Sequence, residues 1–217
     1  MNVLIVAATE GEIAPLTEYF QHSSLPNGVS GGIVITGVGM SNTTYELTKH
    51  LQTNHYDFVL QVGVAGSYVK TLALGQVVFI TSEQYGDLGA EDHAMYLDIF
   101  EMGLQDKNTP PYINGKLLTP LLGVHSKITL PKVSGLTINT VSGSERTIHT
   151  RYDKYHCDVE SMEGAALHYV CLREHVPFAQ VRAISNYVIP RDKSQWQMKD
   201  AIINLNKWLI DFIAKLS

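Results

Sequence analysis

Two carboxylates and one amide stand where they could do chemistry together. Glu12 closes Thr9-Glu10-Gly11-Glu12 after an apolar run at 2 to 8, Glu163 lies in VESMEGAAL after a run at 157 to 161, and Asn186 ends VRAISN. Each follows a stretch that reads as a buried strand, and in an open α/β sheet the carboxyl ends of such strands converge on one crevice. Carboxylates there can orient water, take up a proton or balance positive charge. An amide can donate and accept hydrogen bonds but delivers no proton. Each residue also has an ordinary structural account. Thr9 and Glu12 have capping-box spacing. Glu163 would open a helix, whose dipole favours a negative charge by about 0.3–1 kcal/mol. Asn186 suits a turn after a strand. The constellation says more than any member.

Other motifs carry less. Gly37-Val38-Gly39 sits between a strand and a helix, where its backbone could approach an anion or a ribose, but Asn42 stands where a dinucleotide fingerprint needs its third glycine. Gly28-Val29-Ser30-Gly31-Gly32 matches a nucleophile elbow in letters only, because a strand follows the serine instead of preceding it. No Walker or zinc signature occurs and the nine histidines form no HExxH pair, so neither a metal nor a cofactor is expected. Cys157 and Cys171 read as small buried thiols of a reducing compartment.

The elements that must position these residues are strands at 2 to 8, 31 to 38, 57 to 64, 75 to 84, 134 to 142, 157 to 161 and 178 to 185. Helices suit 10 to 21, 41 to 54, 145 to 154, 162 to 175 and 195 to 216. Several strands are apolar at successive positions, as strands covered on both faces should be. The expected fold is a three-layer αβα arrangement around a mostly parallel mixed sheet, formed by one domain over 1 to 217. Residues 85 to 122, with Pro110-Pro111 in their midst, read as a long irregular excursion that covers a site or an interface. A net charge of -5 and a pI near 6.0 argue against nucleic acid. With no cationic leader and no apolar run near the ~20 residues that span a bilayer, a soluble cytoplasmic protein is expected. All five arginines lie between Arg146 and Arg191.

Six segments in order, AATEGEI, TGVGMSN, QVGVAGS, TVSGSER, VESMEGAAL and VRAISN, resemble the purine nucleosidase and phosphorylase superfamily over essentially the whole chain. Within it the chain resembles the methylthioadenosine/S-adenosylhomocysteine nucleosidases and, more closely, the futalosine hydrolases. The resemblance implies that Glu12 deprotonates the attacking water and Glu163 binds the ribose hydroxyls, with Met162 against the sugar. Val64, Ala65 and the backbone from Val141 through Gly143 to Arg146 would line the base pocket. The adenine-releasing relatives carry an aspartate where this chain has Asn186. A 6-oxopurine offers two acceptors, O6 and N7, and suits an amide NH2, so hypoxanthine is the expected leaving base.

Phosphorolysis would need a dianion site built from arginines, which the related phosphorylases supply largely from their amino-terminal half; here that half has none. A nucleoside and water are therefore the expected partners, and menaquinone biosynthesis the implied pathway. Arg146, Arg191 and aromatics from 85 to 112 are candidates for the carboxyphenyl end of futalosine. The relatives' homodimers point to Pro110-Pro111-Tyr112 as a loop closing a neighbour's site. The alternatives are a 6-oxopurine phosphorylase, an adenine-releasing nucleosidase and a non-catalytic purine-binding module.

Overall fold

The computed structural model describes residues 1–93 and 95–216. Its elements run β1 (Asn2–Ala7), α1 (Glu10–His22), β2 (Ser30–Ile35), α2 (Met40–Thr53), β3 (Phe58–Ser67), β4 (Val77–Tyr85), β5 (Gly89–Asp92), β6 (Met95–Asp98), β7 (Leu117–Leu118), β8 (Lys132–Thr137), α3 (Glu145–Tyr155), β9 (Val159–Ser161), α4 (Gly164–Arg173), β10 (Phe178–Tyr187) and α5 (Met198–Ala214). Side chains alternate across a strand, and β1 shows the consequence. Val3, Ile5 and Ala7 join a core with Ile13 and Leu16 of α1 and Leu205, Leu209 and Phe212 of α5. Leu4 and Val6 join a second core with Leu47 of α2 and Leu167 and Val170 of α4. Helices on both faces are what the uninterrupted apolar runs required.

The large sheet has the order β10-β4-β8-β9-β3-β1-β2, and β10 also pairs with β3. Five strands, β3, β10, β4, β8 and β9, therefore close a ring, with β1 and β2 extending from it. The β1–β2, β1–β3, β3–β10, β4–β8 and β8–β9 pairs are parallel, while β4–β10, β3–β9 and β4–β7 are antiparallel. This is the mostly parallel mixed sheet expected. Among the described residues no helix is long and apolar enough to cross a membrane. Both cysteines are buried free thiols, and burial pushes the Cys157 thiol up to about 12.

Three expectations shift. The strand expected to reach residue 142 stops at Thr137, because side-chain acceptors replace ladder partners beyond it: Asp87 Oδ2 accepts from Asn139 N at 2.6 Å and Thr140 N at 3.3 Å. The strand before the glycine turn ends at Ile35 instead of 38, where Gly37 and Gly39 adopt φ of 85° and 96°. The excursion contains the β5–β6 hairpin and β7. Its aromatics turn inward: Tyr85, Phe100 and Tyr112 pack with Leu117, Ala165 and Tyr169.

Beneath the start of α4 lies the buried Glu83 of β4. Thr137 Oγ1 donates to Glu83 Oε2 at 2.9 Å and accepts from Ala165 N at 2.7 Å. Gly164 fits only as glycine, since a Cβ there would stand 2.0 Å from Glu83 Oε1. Burial pushes the Glu83 carboxyl up to about 7, although the bond from Thr137 and the charge of Arg182 pull it down. The folded protein therefore holds this proton at a pH where the unfolded chain has lost it. Stability from Glu83 is complete below the ordinary carboxyl range and falls as pH rises toward 7, by about 3 kcal/mol in all. Glu83→Gln removes that dependence. The variant is expected to gain on the wild type between pH 5 and pH 8 in urea melts; parallel pH profiles would refute the assignment.

Candidate active site

Glu12 caps its own helix and also lines a cleft. Its Oε2 accepts from Thr9 N at 3.0 Å and Thr9 Oγ1 at 3.1 Å, which is the helix cap, while Oε1 accepts from Val64 N at 3.1 Å. Only 8% of the residue is exposed, yet it lines a cleft. The α1 backbone is tied down from behind, where Asn206 of α5 donates to Glu12 O at 2.8 Å and accepts from Leu16 N at 3.1 Å. Oε1 keeps one lone pair free for a water in the cleft.

Glu163 is the N-cap residue of α4, but its side chain does not cap that helix. The carboxylate instead reaches across to accept from Gly39 N at 3.2 Å, and its Oε2 lies 3.3 Å from Arg182 Nη2. The glycine turn thus supplies a backbone donor that a bulkier, less permissive residue would withhold. Arg182 is 1% exposed and donates from Nη2 to Gln61 Oε1 at 3.1 Å, with Val64 O at 3.5 Å from Nη1. A buried charge needs a partner and hydrogen bonds, and Arg182 finds them on β3 and at the start of α4.

Asn186 lies within β10, which continues to Tyr187, and a register shift between Ile184 and Asn186 marks a bulge. Bulges re-aim side chains. Here the amide lines the cleft, with Oδ1 accepting from Ser185 Oγ at 2.8 Å and Nδ2 donating to Tyr187 O at 3.0 Å. One Nδ2 hydrogen remains for a ligand. Asn186 is therefore a strand residue and not the turn cap that its type also allowed.

The cleft, about 410 Å³, brings together Glu12, Glu163, Asn186, Val64, Ala65, Val141, Met162 and Arg191. That volume suits a small-molecule ligand. Two expected residues lie elsewhere. Gly143 stands behind the wall, its carbonyl accepting from Arg191 N at 3.2 Å. Arg146 is exposed in the first turn of α3 and lines a separate hollow with Asp87, Glu91 and Arg151, since the helix start carries it toward the β5–β6 hairpin. The aromatics of 85 to 112 do not line the cleft, and Tyr112 of the Pro110-Pro111-Tyr112 segment is buried against its own chain. Sequence reasoning passed over Arg182, Glu160 and Trp196. For the first two the signal was a charged residue inside an otherwise buried strand. Trp196 lines the cleft and carries the Arg191 guanidinium 5.3 Å from its ring centre.

A mixed sheet clad in helices, with paired carboxylates and an amide at strand ends facing a cleft of ligand size, has the build of an enzyme for a small polar substrate. The chain belongs to the phosphorylase superfamily, whose sequence profile matches residues 2–214. It is 31% identical over 169 residues to the futalosine hydrolase of Thermus thermophilus, covering 77% of this chain and 74% of that protein. Against the futalosine hydrolase of Streptomyces coelicolor the figures are 28% over 199 residues, 89% and 80%. Among solved structures, a 5'-methylthioadenosine/S-adenosylhomocysteine nucleosidase from Colwellia psychrerythraea in complex with adenine superimposes with a TM-score of 0.82 at 18% identity, covering 100% of this chain and 96% of the other. The native futalosine hydrolase of Helicobacter pylori gives 0.79 at 17% identity, covering 99% and 98%.

Removing Arg182 leaves the Glu163 carboxylate without its counter-charge and the buried Gln61 carbonyl without its donor. Arg182→Met is expected to cost about 3–5 kcal/mol in urea unfolding, and adding Glu163→Gln to recover part of it. A loss below about 1 kcal/mol would show that the pair is solvated like a surface salt bridge.

Proposed function

We propose that this protein hydrolyses the N-glycosidic bond of futalosine and releases hypoxanthine, working as one domain over its whole length. The observation that carries hydrolysis over phosphorolysis is the charge of the cleft: Glu12, Glu160 and Glu163 line it with Arg191 as the one cation among the described lining residues. The buried guanidinium of Arg182 is committed to Glu163 and Gln61. Three carboxylates repel a phosphate dianion, but they suit water as nucleophile and a sugar ring that gains positive charge as its bond to the base breaks. The futalosine hydrolases related to this chain support the choice of substrate.

In this reading Glu163, held by Gly39 and Arg182, receives the ribose hydroxyls, and Met162 lies against the sugar. Glu12 Oε1 orients and deprotonates the water. Asn186 donates to the hypoxanthine edge and stabilises the negative charge that grows on it; as an amide it supplies no proton, so the base leaves as its anion and takes its proton from solvent. Val64, Ala65 and Val141 give the pocket its apolar wall. The carboxyphenyl ketone beyond C5' would lie along Trp196, Met198 and Ile202, with Arg191 answering its carboxylate. A homodimer belongs to the same proposal, with a second copy burying the exposed Val38 at the cleft rim and Tyr45 on α2. Sedimentation of a monomer at micromolar concentration would remove that part.

Chromatography of products from futalosine, inosine and methylthioadenosine, each with and without phosphate, tests the reading. Hypoxanthine is expected from futalosine without phosphate, and no adenine from methylthioadenosine. Glu12→Gln should lower kcat by about 10²-fold or more. Asn186→Asp should impair release of hypoxanthine. Phosphate dependence would overturn hydrolysis, and an undiminished Asn186→Asp would overturn the role of the amide.

A further inference from the structure

Three adjacent strands place Asn186, Gly66 and Glu160 in one row. Asn186 of β10 pairs in register with Gly66 of β3, and Gly66 pairs in turn with Glu160 of β9. Residues in register across neighbouring strands project from the same face of a sheet, and all three line the cleft. Gly66 leaves the middle of the row without a side chain, and its neighbours close over it: a Cβ there would stand 3.0 Å from Val188 Cγ2, 3.1 Å from Asn186 Nδ2 and 3.6 Å from Glu160 Cγ. The outer two backbones are two strand spacings apart, roughly 9.5 Å. The row thus presents an amide on one side of Gly66 and a carboxylate on the other.

Glu160 is buried, with 6% of the residue exposed, and tightly held. Oε2 accepts from Tyr68 Oη at 2.6 Å and from Ser142 Oγ at 2.7 Å, while Oε1 accepts from Ser142 N at 3.0 Å. Burial, and then the neighbouring Glu160 charge, push the Tyr68 phenol up, which keeps it a donor. Oε2 thus has both lone pairs engaged and Oε1 has one left. Arg151 locks the arrangement from outside by donating from Nη1 to Ser142 Oγ at 2.8 Å.

We propose that Glu160 reads N1 and with Asn186 selects a 6-oxopurine over a 6-aminopurine, accepting the N1–H of the base on Oε1 while the remaining N–H of Asn186 serves the O6/N7 edge. This rests on the reading of the cleft as a nucleoside site. The two side chains differ in what they can enforce. Asn186 is fixed by Tyr187 O and Ser185 Oγ, so it reads the O6/N7 edge with one N–H and leaves N1 unread. A carboxylate pinned by three donors only accepts. Hypoxanthine presents N1–H to it, whereas adenine presents an N1 lone pair, and an acceptor facing an acceptor in a closed pocket is strongly disfavoured.

Binding of hypoxanthine and adenine to the purified protein, by calorimetry, tests this on wild type and on Glu160→Ala, whose folding is checked by thermal melting. Glutamine would not serve, because Ser142 N can only donate and would hold the amide oxygen in the place of Oε1. The wild type should prefer hypoxanthine. In Glu160→Ala hypoxanthine should bind about tenfold or more weakly while adenine, no longer faced by an acceptor, binds no worse, so that the preference narrows by about tenfold or more. Tyr68→Phe leaves Oε1 in place and should keep the preference within about twofold. Were Glu160→Ala not to fold, 1-methylhypoxanthine, which has no N1–H, must bind wild type at least about tenfold more weakly than hypoxanthine; equal binding overturns the proposal. A wild type that prefers adenine overturns the 6-oxopurine reading and this assignment with it. If the wild type prefers hypoxanthine but Glu160→Ala weakens both bases in parallel, Glu160 merely shapes the pocket and the substrate reading stands.

Discussion

A guanidinium in the middle of a buried strand is the constraint around which the cleft is organised. Arg182 has its neighbours Val181 and Ala183 wholly in the core, so the chain tolerates its charge only by surrounding it with acceptors. Glu163 from the start of α4 and Gln61 from β3 provide them. The same demand explains why Glu163 turns away from its own helix, and why a glycine lies at position 63. A Cβ on Gly63 would stand 2.4 Å from Arg182 Nη1 and 2.7 Å from Glu12 Oε1. Both carboxylate environments are therefore built against one bare stretch of β3 backbone, and moving either would disturb the other.

The polar groups under this site are shared in the same way. Thr137 joins β8 to Glu83 of β4 and to the first turn of α4, and Glu160 joins β9 to the 140–144 segment through Ser142. Buried polar groups must find partners, and here the partners come from a neighbouring element. The site is thus rigid on its strand side. Its more exposed wall, with Arg191 and Trp196, comes from the segment between β10 and α5.

Most of the architecture could be read from apolar runs, for a physical reason. Strands covered on both faces lack polar alternation, so β1, β3, β4 and β10 announced themselves within a few residues, and Leu205, Leu209 and Phe212 marked α5. The β5–β6 hairpin gave no such sign, because its strands GAED and MYLD are exposed or half-buried at every position. The meeting of Glu12, Glu163 and Asn186 in one cleft was legible because strand ends converge. Arg182 and Glu160 were visible as charges inside buried strands, but their partners lie up to 121 positions away, and only the folded sheet names them. Arg146 misled because adjacency in sequence to the wall at Val141 is undone by a single helical turn.

The ring of β3, β10, β4, β8 and β9 has a consequence for fidelity of assembly. An open sheet can absorb a one-residue slip at a free edge, and the error stops there. In a closed circuit any slip must be answered by an equal one further round, or the circuit fails to close. The lateral alignment of Asn186 with Glu160 is thereby checked twice, once through β3 directly and once by the long way through β4 and β8. Molecular recognition at this cleft is proofread by topology before any ligand arrives.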